Sequence, residues 1–307
     1  MPSETTSVTG VSTEPSDVVS GEMPEGSSSR EVMAKRGSTA LGSWLVAIDL
    51  DGTAIDEAGD ASRGVVTQLR RIERVGHHLL IATGRSAATT LPVLDRIGAW
   101  PEYVVCSNGA VILQRDGAAP SGYHRLHTAG FDASAVLAAV RANLPEARIA
   151  VEDEAGVYRY THPFPPPTTE AAEEQVIVPF EALLDGRAVR VVAVVPDHDV
   201  TEFRVIVERM DLKGVTFSLG WTAWLDIAAE GITKAAAAEK VRAVLGFGRD
   251  RVMAVGDGFN DIEFLQWAGE FGRGVAMGHA PEALQAVATE ITGTFVEDGL
   301  ACVLASL

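Results

Sequence analysis

A run of five apolar residues, Trp44-Leu45-Val46-Ala47-Ile48, ends abruptly in Asp49-Leu50-Asp51-Gly52-Thr53. A short, unbroken apolar run bounded by turn residues reads as a strand buried on both faces, the kind found in parallel sheets. Its length and the Asp-Gly stop favour a strand over a buried helix. Residues two apart in extended backbone share a face, so Asp49 and Asp51 leave the strand pointing the same way. Two carboxylates held that close repel each other, and a divalent cation relieves the repulsion. Gly52 allows the sharp turn that a strand end above a sheet requires.

The segments that follow repeat this rhythm. Val65, Val66, Leu69, Ile72 and Val75 recur at helical spacing, with Gly76 as the stop. The apolar run 79–82 ends in Thr83-Gly84-Arg85, and Ser86 is positioned to cap a helix. A third run, Tyr103–Cys106, ends in Ser107-Asn108-Gly109-Ala110. Strand, polar turn with glycine, helix and strand again make an open α/β sheet. Such sheets bind ligands at the carboxyl ends of their strands, where the polar residues fall here.

Between about 114 and 228 the pattern changes. Strand-like stretches at Tyr123–Thr128, 149–153, 157–161, 188–195, Val215–Leu219 and 224–227 are interleaved with helical patterns at 133–144 and 201–210. Segments 148–152 and 157–161, joined by Asp-Glu-Ala-Gly, form a predicted hairpin, and the four prolines of 162–169 mark a loop. This block reads as a separate α+β domain inserted into the first. The α/β rhythm returns at Gly231-Ile232-Thr233-Lys234, where Thr233 caps an alanine-rich helix. A lysine in a first turn is electrostatically unfavourable, yet together with free N–H groups it would hold a phosphate. The strand 251–255 then runs into Gly256-Asp257-Gly258-Phe259-Asn260-Asp261, and a strand around 275–277 leads to Gly278-His279-Ala280-Pro281.

The chain's 307 residues suffice for about two domains, and residues 1–40, rich in Ser, Thr, Glu, Gly and Pro, lack hydrophobic periodicity and read as a disordered tail. Translation starting at Met23 or Met33 would remove part of it. With 42 acidic and 25 basic residues, the net charge of −17 argues against nucleic acid and anionic membrane as partners. No run approaches the roughly 20 apolar residues of a membrane span. Cys106 and Cys302, both in apolar sequence, read as reduced core residues of a cytoplasmic protein.

In this order, Asp49-Leu50-Asp51-Gly52-Thr53, Ala82-Thr83-Gly84-Arg85, Lys234 and Gly256-Asp257-Gly258-Phe259-Asn260-Asp261 resemble the four signature motifs of the haloacid dehalogenase-like (HAD) phosphohydrolases. Ser107-Asn108-Gly109-Ala110, Gly231-Ile232-Thr233-Lys234, Val275-Ala276-Met277-Gly278 and Glu297-Asp298-Gly299 are similar to the Cof-type branch. The resemblance covers roughly residues 43–307, weakly in the inserted block. It implies an α/β, Rossmann-like core with a parallel sheet from residues 41–114 and 229–307, and an α+β cap of C2B type at 115–228. It also implies an Mg²⁺-dependent phosphatase acting on a small phosphorylated metabolite, a sugar phosphate foremost.

On that resemblance Asp49 is the nucleophile that becomes an aspartyl-phosphate, and Asp51 is the general acid and then base. Mg²⁺ falls to Asp49, the Asp51 carbonyl and Asp257, with Asp261 positioning metal waters or Lys234. Thr83, Gly84, Lys234 and Asn260 are assigned to the phosphate. Arg85, Asn108, Arg159 and His162 are substrate candidates, joined by Trp221 and Trp224. His279 stands where the branch usually carries Asn. A phosphosugar mutase and a catalytically silent phospho-metabolite-binding regulator are the alternatives.

Overall fold

The computed structural model describes residues 42–164, 175–220 and 222–307. The expected tail at 1–40, most of the proline-rich loop and Trp221 lie outside the described residues. The opening run forms β1 (Leu45–Ile48), fully buried as its composition requires. Strands β2 (His78–Ala82) and β3 (Tyr103–Cys106) follow, each preceded by a helix: α1 (Arg63–Arg74) and α2 (Ala87–Ile97). Ser62 and Ser86 cap these helices, accepting from the amides of Val65 and Thr89.

The first sheet continues with β4 (Val111–Arg115) and β5 (Tyr123–Thr128), and later with β12 (Val252–Gly256), β13 (Arg273–Ala276) and β14 (Glu290–Ile291). Its order is β14-β13-β12-β1-β2-β3-β4-β5. The pairings from β14 across to β3 are parallel, and β4 and β5 are antiparallel additions. Alternation along β1 divides the core. Val46 and Ile48 pack with Leu69 and Ile72 of α1 on one face. Leu45 and Ala47 pack on the other against α5 (Lys234–Leu245) and α6 (Ile262–Gly269), through residues such as Ala238 and Phe264. The chain builds outward from β1 through β2 and β3, then returns to the opposite side of β1 at β12. The two halves diverge at the β1/β12 pair, the switch point where an open α/β sheet forms a crevice at its carboxyl ends.

A second sheet, in the order β10-β11-β9-β6-β7-β8, comprises β6 (Arg148–Asp153), β7 (Tyr158–Tyr160), β8 (Val176–Ile177), β9 (Ala188–Val194), β10 (Val215–Leu219) and β11 (Trp224–Ala229). All its pairings are antiparallel except β7 with β8. Ile149, Val191, Leu225 and Ile227 turn one face towards α3 (Ser134–Asn143) and α4 (Val200–Arg209), which bury Leu137 and Phe203 against it. The intervening positions, Glu152, Arg190 and Asp226, therefore share the opposite face.

One boundary differs from the sequence reading. Tyr123–Thr128 was expected in the inserted block, but it pairs with β4 on the first sheet, Arg115 opposite Tyr123 and Val111 opposite Thr128. The reason is local: Asp116 accepts the Ala118 amide through its side chain, and its own amide bonds to Gly122, closing a hairpin. The first sheet thus extends through residue 128, beyond the expected limit at 114. Cys106 is buried as expected, whereas Cys302 is exposed. On α7 (Gly299–Ala305), Leu300, Val303 and Leu304 take the inward face and Cys302 falls on the outer one.

Candidate active site

The carboxyl ends of β1, β2 and β12 deliver the acidic and polar motifs to one crevice. Register fixes Ile48 beside Val255, and the Asp49 amide donates to the Val255 carbonyl at 3.0 Å, so Asp49 and Asp257 emerge side by side. After Asp51 the amides of Thr53, Ala54 and Ile55 all turn back to the Leu50 carbonyl. Gly52 has φ +75°, and a Cβ there would lie 2.3 Å from Asp257 Oδ2, so glycine is what lets the two acidic loops touch. Thr53 Oγ1 donates to Asp257 Oδ1 at 2.6 Å.

Lys234, 1% exposed, enters from the first turn of α5, whose N-cap Thr233 accepts the Ala236 amide. Its Nζ lies 2.8 Å from Asp49 Oδ1 and 2.8 Å from Asp261 Oδ1. Burial works against the ammonium, but the carboxylates of Asp261 and Asp49 outweigh it and hold the lysine pKa above its usual value. Asp49 titrates well above the ordinary carboxylate range, chiefly through burial and secondarily through repulsion from Asp261, with Lys234 opposing. Asp261 Oδ2 accepts the amides of Asp257 and Gly258, both at 3.0 Å. Its two oxygens thus fasten the lysine to the loop after β12.

Among the described residues, Asp49, Asp257 and Asp261 form a buried cluster with candidate ligand atoms within 4.8 Å of one another. Asp261 is already committed to Lys234 and two amides, which leaves Asp49 and Asp257 as the carboxylates able to take up a cation. An all-oxygen donor set fits a hard divalent ion. His279 Nε2 stands 3.6 Å from Asp257 Oδ2, and its pKa is raised, mainly by the hydrogen bond to Asp257.

The remaining expected residues divide. Thr83 is fully buried, and its hydroxyl accepts the Arg85 amide at 3.1 Å. Gly84 lines the crevice, and Asn260 does so while donating to Asn108 Oδ1 at 2.9 Å. Arg85, expected to touch substrate, lines the crevice and grips Asp51, with Nε 2.8 Å from Oδ2 and Nη2 2.5 Å from Oδ1. Arg159 and His162 do not line the crevice. Arg159 is turned to Asp153 at 2.9 Å, and His162 is exposed beside Thr161. Both lie in or just after the short strand β7, away from the strands that cover the motifs. Trp224 does line the crevice.

Asn108, a substrate candidate in the sequence, lines the crevice, and with Ser107 it meets three residues absent from the sequence reading: Glu152, Arg190 and Asp226. Ser107 and Asn108 are both held at positive φ, 50° and 52°, in the turn after β3. Ser107 Oγ donates to Glu152 at 2.7 Å, and Asn108 Nδ2 donates to Asp226 at 3.0 Å. Asp226 is paired bidentately with Arg190, at 2.8 and 2.5 Å. The available signal was charge at alternating positions within apolar strands, as in Ala150-Val151-Glu152 and Leu225-Asp226-Ile227. The crevice has a volume of about 670 Å³, with Asp49 and Asp51 on one side and β9 and β11 on the other.

A family model described as haloacid dehalogenase-like hydrolase matches residues 46–304. The 5-amino-6-(5-phospho-D-ribitylamino)uracil phosphatase YitU of Bacillus subtilis (strain 168) is 26% identical over 273 residues, covering 84% of this chain and 95% of its own. The pyridoxal phosphate phosphatase YbhA of Escherichia coli (strain K12) is 27% identical over 275 residues, covering 84% and 96%. Among solved structures, the HAD subclass IIB sugar phosphatase BT4131 matches with a TM-score of 0.71 at 20% identity, covering 86% of this chain and 98% of its own. That likeness is one of fold.

Proposed function

Because the chain belongs to the haloacid dehalogenase-like hydrolases and is a phosphatase of that family, we propose that it hydrolyses a small phosphorylated metabolite through an aspartyl-phosphate on Asp49. The observation that carries this reading is the buried Asp49–Lys234–Asp261 chain beside Asp257 at the switch point of the sheet. A phosphate monoester resists attack because its own negative charge repels nucleophiles, so catalysis rests on neutralising charge and aligning the attack. Lys234 supplies a fixed cation where the phosphoryl group would sit, and Asp261 holds that cation in place. Asp49 attacks phosphorus as the ester bond to the leaving oxygen breaks. Asp51 gives a proton to that oxygen, then takes one from the water that hydrolyses the intermediate. Arg85 positions the Asp51 carboxylate. Asn260, which lines the crevice, is assigned to the phosphate in this reading. Asp49, Asp257 and the Asp51 carbonyl would hold Mg²⁺, which when bound offsets the phosphate's charge.

In this reading the block from α3 to β11 is a cap over the crevice, tied to the core by the Ser107–Glu152 and Asn108–Asp226 bonds. Sugar phosphates are the substrates proposed first, in keeping with a relative named for a phosphoribitylamino-uracil, and a relative named for pyridoxal phosphate puts other small phosphate esters behind them. The test is phosphate release from a panel of phosphorylated metabolites with Mg²⁺, comparing wild type with Asp49→Asn. Turnover in the mutant below about one part in a thousand of wild type, with the fold retained, is the expected result. Substantial turnover by the mutant would remove Asp49 as nucleophile. No release by wild type from any ester would overturn the phosphatase.

A further inference from the structure

Resting on the phosphatase reading, we propose that Asp226, clamped by Arg190, is the specificity-determining residue of the crevice and selects a neutral leaving group rich in O–H or N–H donors. Alternation along β9 and β11 puts Arg190 and Asp226 on the sheet face opposite to Val191, Leu225 and Ile227, and both line the crevice. They are almost wholly buried, at 3% and 7% exposed. A buried carboxylate is retained where it is paired, and this one is. Arg190 Nε donates to Oδ1, and Arg190 Nη2 and Asn108 Nδ2 donate to Oδ2. Each carboxylate oxygen can accept about two hydrogen bonds. Among the described residues Oδ1 receives only that from Arg190, so it retains capacity for a donor entering from the crevice.

The same pair disfavours an anion. The arginines that line the crevice are Arg85 and Arg190, and each faces a carboxylate, Asp51 and Asp226 respectively. Arg190 Nη1 is further engaged with the Tyr158 hydroxyl at 3.1 Å. Lys234 serves the transferred phosphoryl group. A second phosphate or a carboxylate on the leaving group would meet Asp226 without an uncompensated cation beside it. The crevice lining is mixed: Val194, Val195, Leu219 and Trp224 suit the carbon skeleton of a polyol or a heterocycle, and Asp197, His198, Ser218 and Thr222 add polar groups beside them. Asn108 carries the arrangement back to the catalytic loops, since its carbonyl oxygen accepts the Asn260 amide while its own amide meets Asp226.

The experiment compares ribitol phosphate with two probes of similar length, pentyl phosphate without donors and ribonate phosphate with a carboxylate. The enzymes are wild type, Asp226→Asn, and the double variant Arg190→Met/Asp226→Leu, which exchanges both members of the pair for apolar side chains so that neither is left facing the other's absence. Wild type should favour ribitol phosphate over both probes by about ten-fold or more in kcat/KM. The double variant should lose about ten- to hundred-fold on ribitol phosphate, mainly through KM, while pentyl phosphate stays within about three-fold. Wild-type preference for ribonate phosphate, or none between ribitol and pentyl phosphates, overturns the proposal without reference to any variant. So does an equal loss on both esters in the variants, which would make the pair merely structural. A wild type that hydrolyses none of the three, nor para-nitrophenyl phosphate, would instead bring down the phosphatase reading on which the proposal rests.

Discussion

Replacing Asp261 with Asn tests whether one buried carboxylate organises the site. Asp261 exposes no surface, and it holds Lys234 Nζ through Oδ1 at 2.8 Å and two loop amides through Oδ2 at 3.0 Å. Asparagine has one acceptor oxygen. The two amides claim it, which turns the new NH₂ towards the lysine, donor against donor. Lys234 is then left with Asp49 as its single carboxylate. Removing one partner of a buried pair costs about 3–5 kcal/mol. The amide bonds survive and Asp49 loses a like-charged neighbour, so the low end, about 3 kcal/mol, is expected. Urea unfolding at neutral pH of Asp261→Asn, Lys234→Met and their combination measures it. The cycle should give a coupling of about 2 kcal/mol or more, since the two groups touch. Phosphate release should fall at least about a hundred-fold as the lysine loses its fixed position. A destabilisation under about 1 kcal/mol with release within about three-fold of wild type would refute the reasoning.

Three shorter predictions bear on neighbouring parts. Gly109 has φ +107°, and a Cβ on it would lie 2.3 Å from the carbonyl of Thr233, the cap of α5. Gly109→Ala should therefore cost about 2–4 kcal/mol and displace Lys234, read as a lower melting temperature with reduced phosphate release; an unchanged melting temperature contradicts the contact. Glu239 is held down to about 2, first by its hydrogen bond to Arg242, against burial, with Trp267 assisting. A depressed carboxylate contributes stability above its unfolded value near 4.5, lost as pH falls through about 2. The group is partly exposed, so solvent limits the contribution to about 1 kcal/mol or less. Glu239→Gln should flatten the acid limb of stability between those pH values, and an unaltered limb would show that the pair contributes nothing. Finally, Mg²⁺ at a hundred times its dissociation constant should stabilise the folded chain by about 2.7 kcal/mol. Its removal with a chelator should stop phosphate release reversibly; activity persisting in excess chelator, or the same thermal shift in Asp257→Asn, would contradict the assigned ligands.

The catalytic side of the crevice was legible because its signals are local. A parallel strand is apolar throughout, so Asp49, Thr83 and Asp257 stand out as the first polar residues after β1, β2 and β12. Lys234 was legible as a cation where a helix start disfavours one. The opposite side was not, since its chemistry depends on how strands of the second sheet pair. Glu152 lies across from Arg190 in the β6–β9 register, and Asp226 reaches Arg190 from β11; no local spacing relates residues 152, 190 and 226. Arg159 and His162 drew attention by residue type alone, and neither lines the crevice. Arg85 lines the crevice as its motif suggested, but its bidentate fit to Asp51 was not legible, because it depends on how the loops after β1 and β2 converge. Tyr123–Thr128 was separated from the first sheet because a change of strand direction is not written in its hydrophobic pattern.

The central claim is that Asp49 carries the phosphoryl group, and the most direct measurement is rapid acid quench of Asp51→Asn during turnover, followed by peptide mass mapping. Without the base that activates water, the intermediate should accumulate. The account predicts the added mass of one phosphoryl group on the peptide containing Asp49, absent from Asp49→Asn under the same conditions. A phosphoryl group found on another residue, or an adduct that persists in Asp49→Asn, would contradict it.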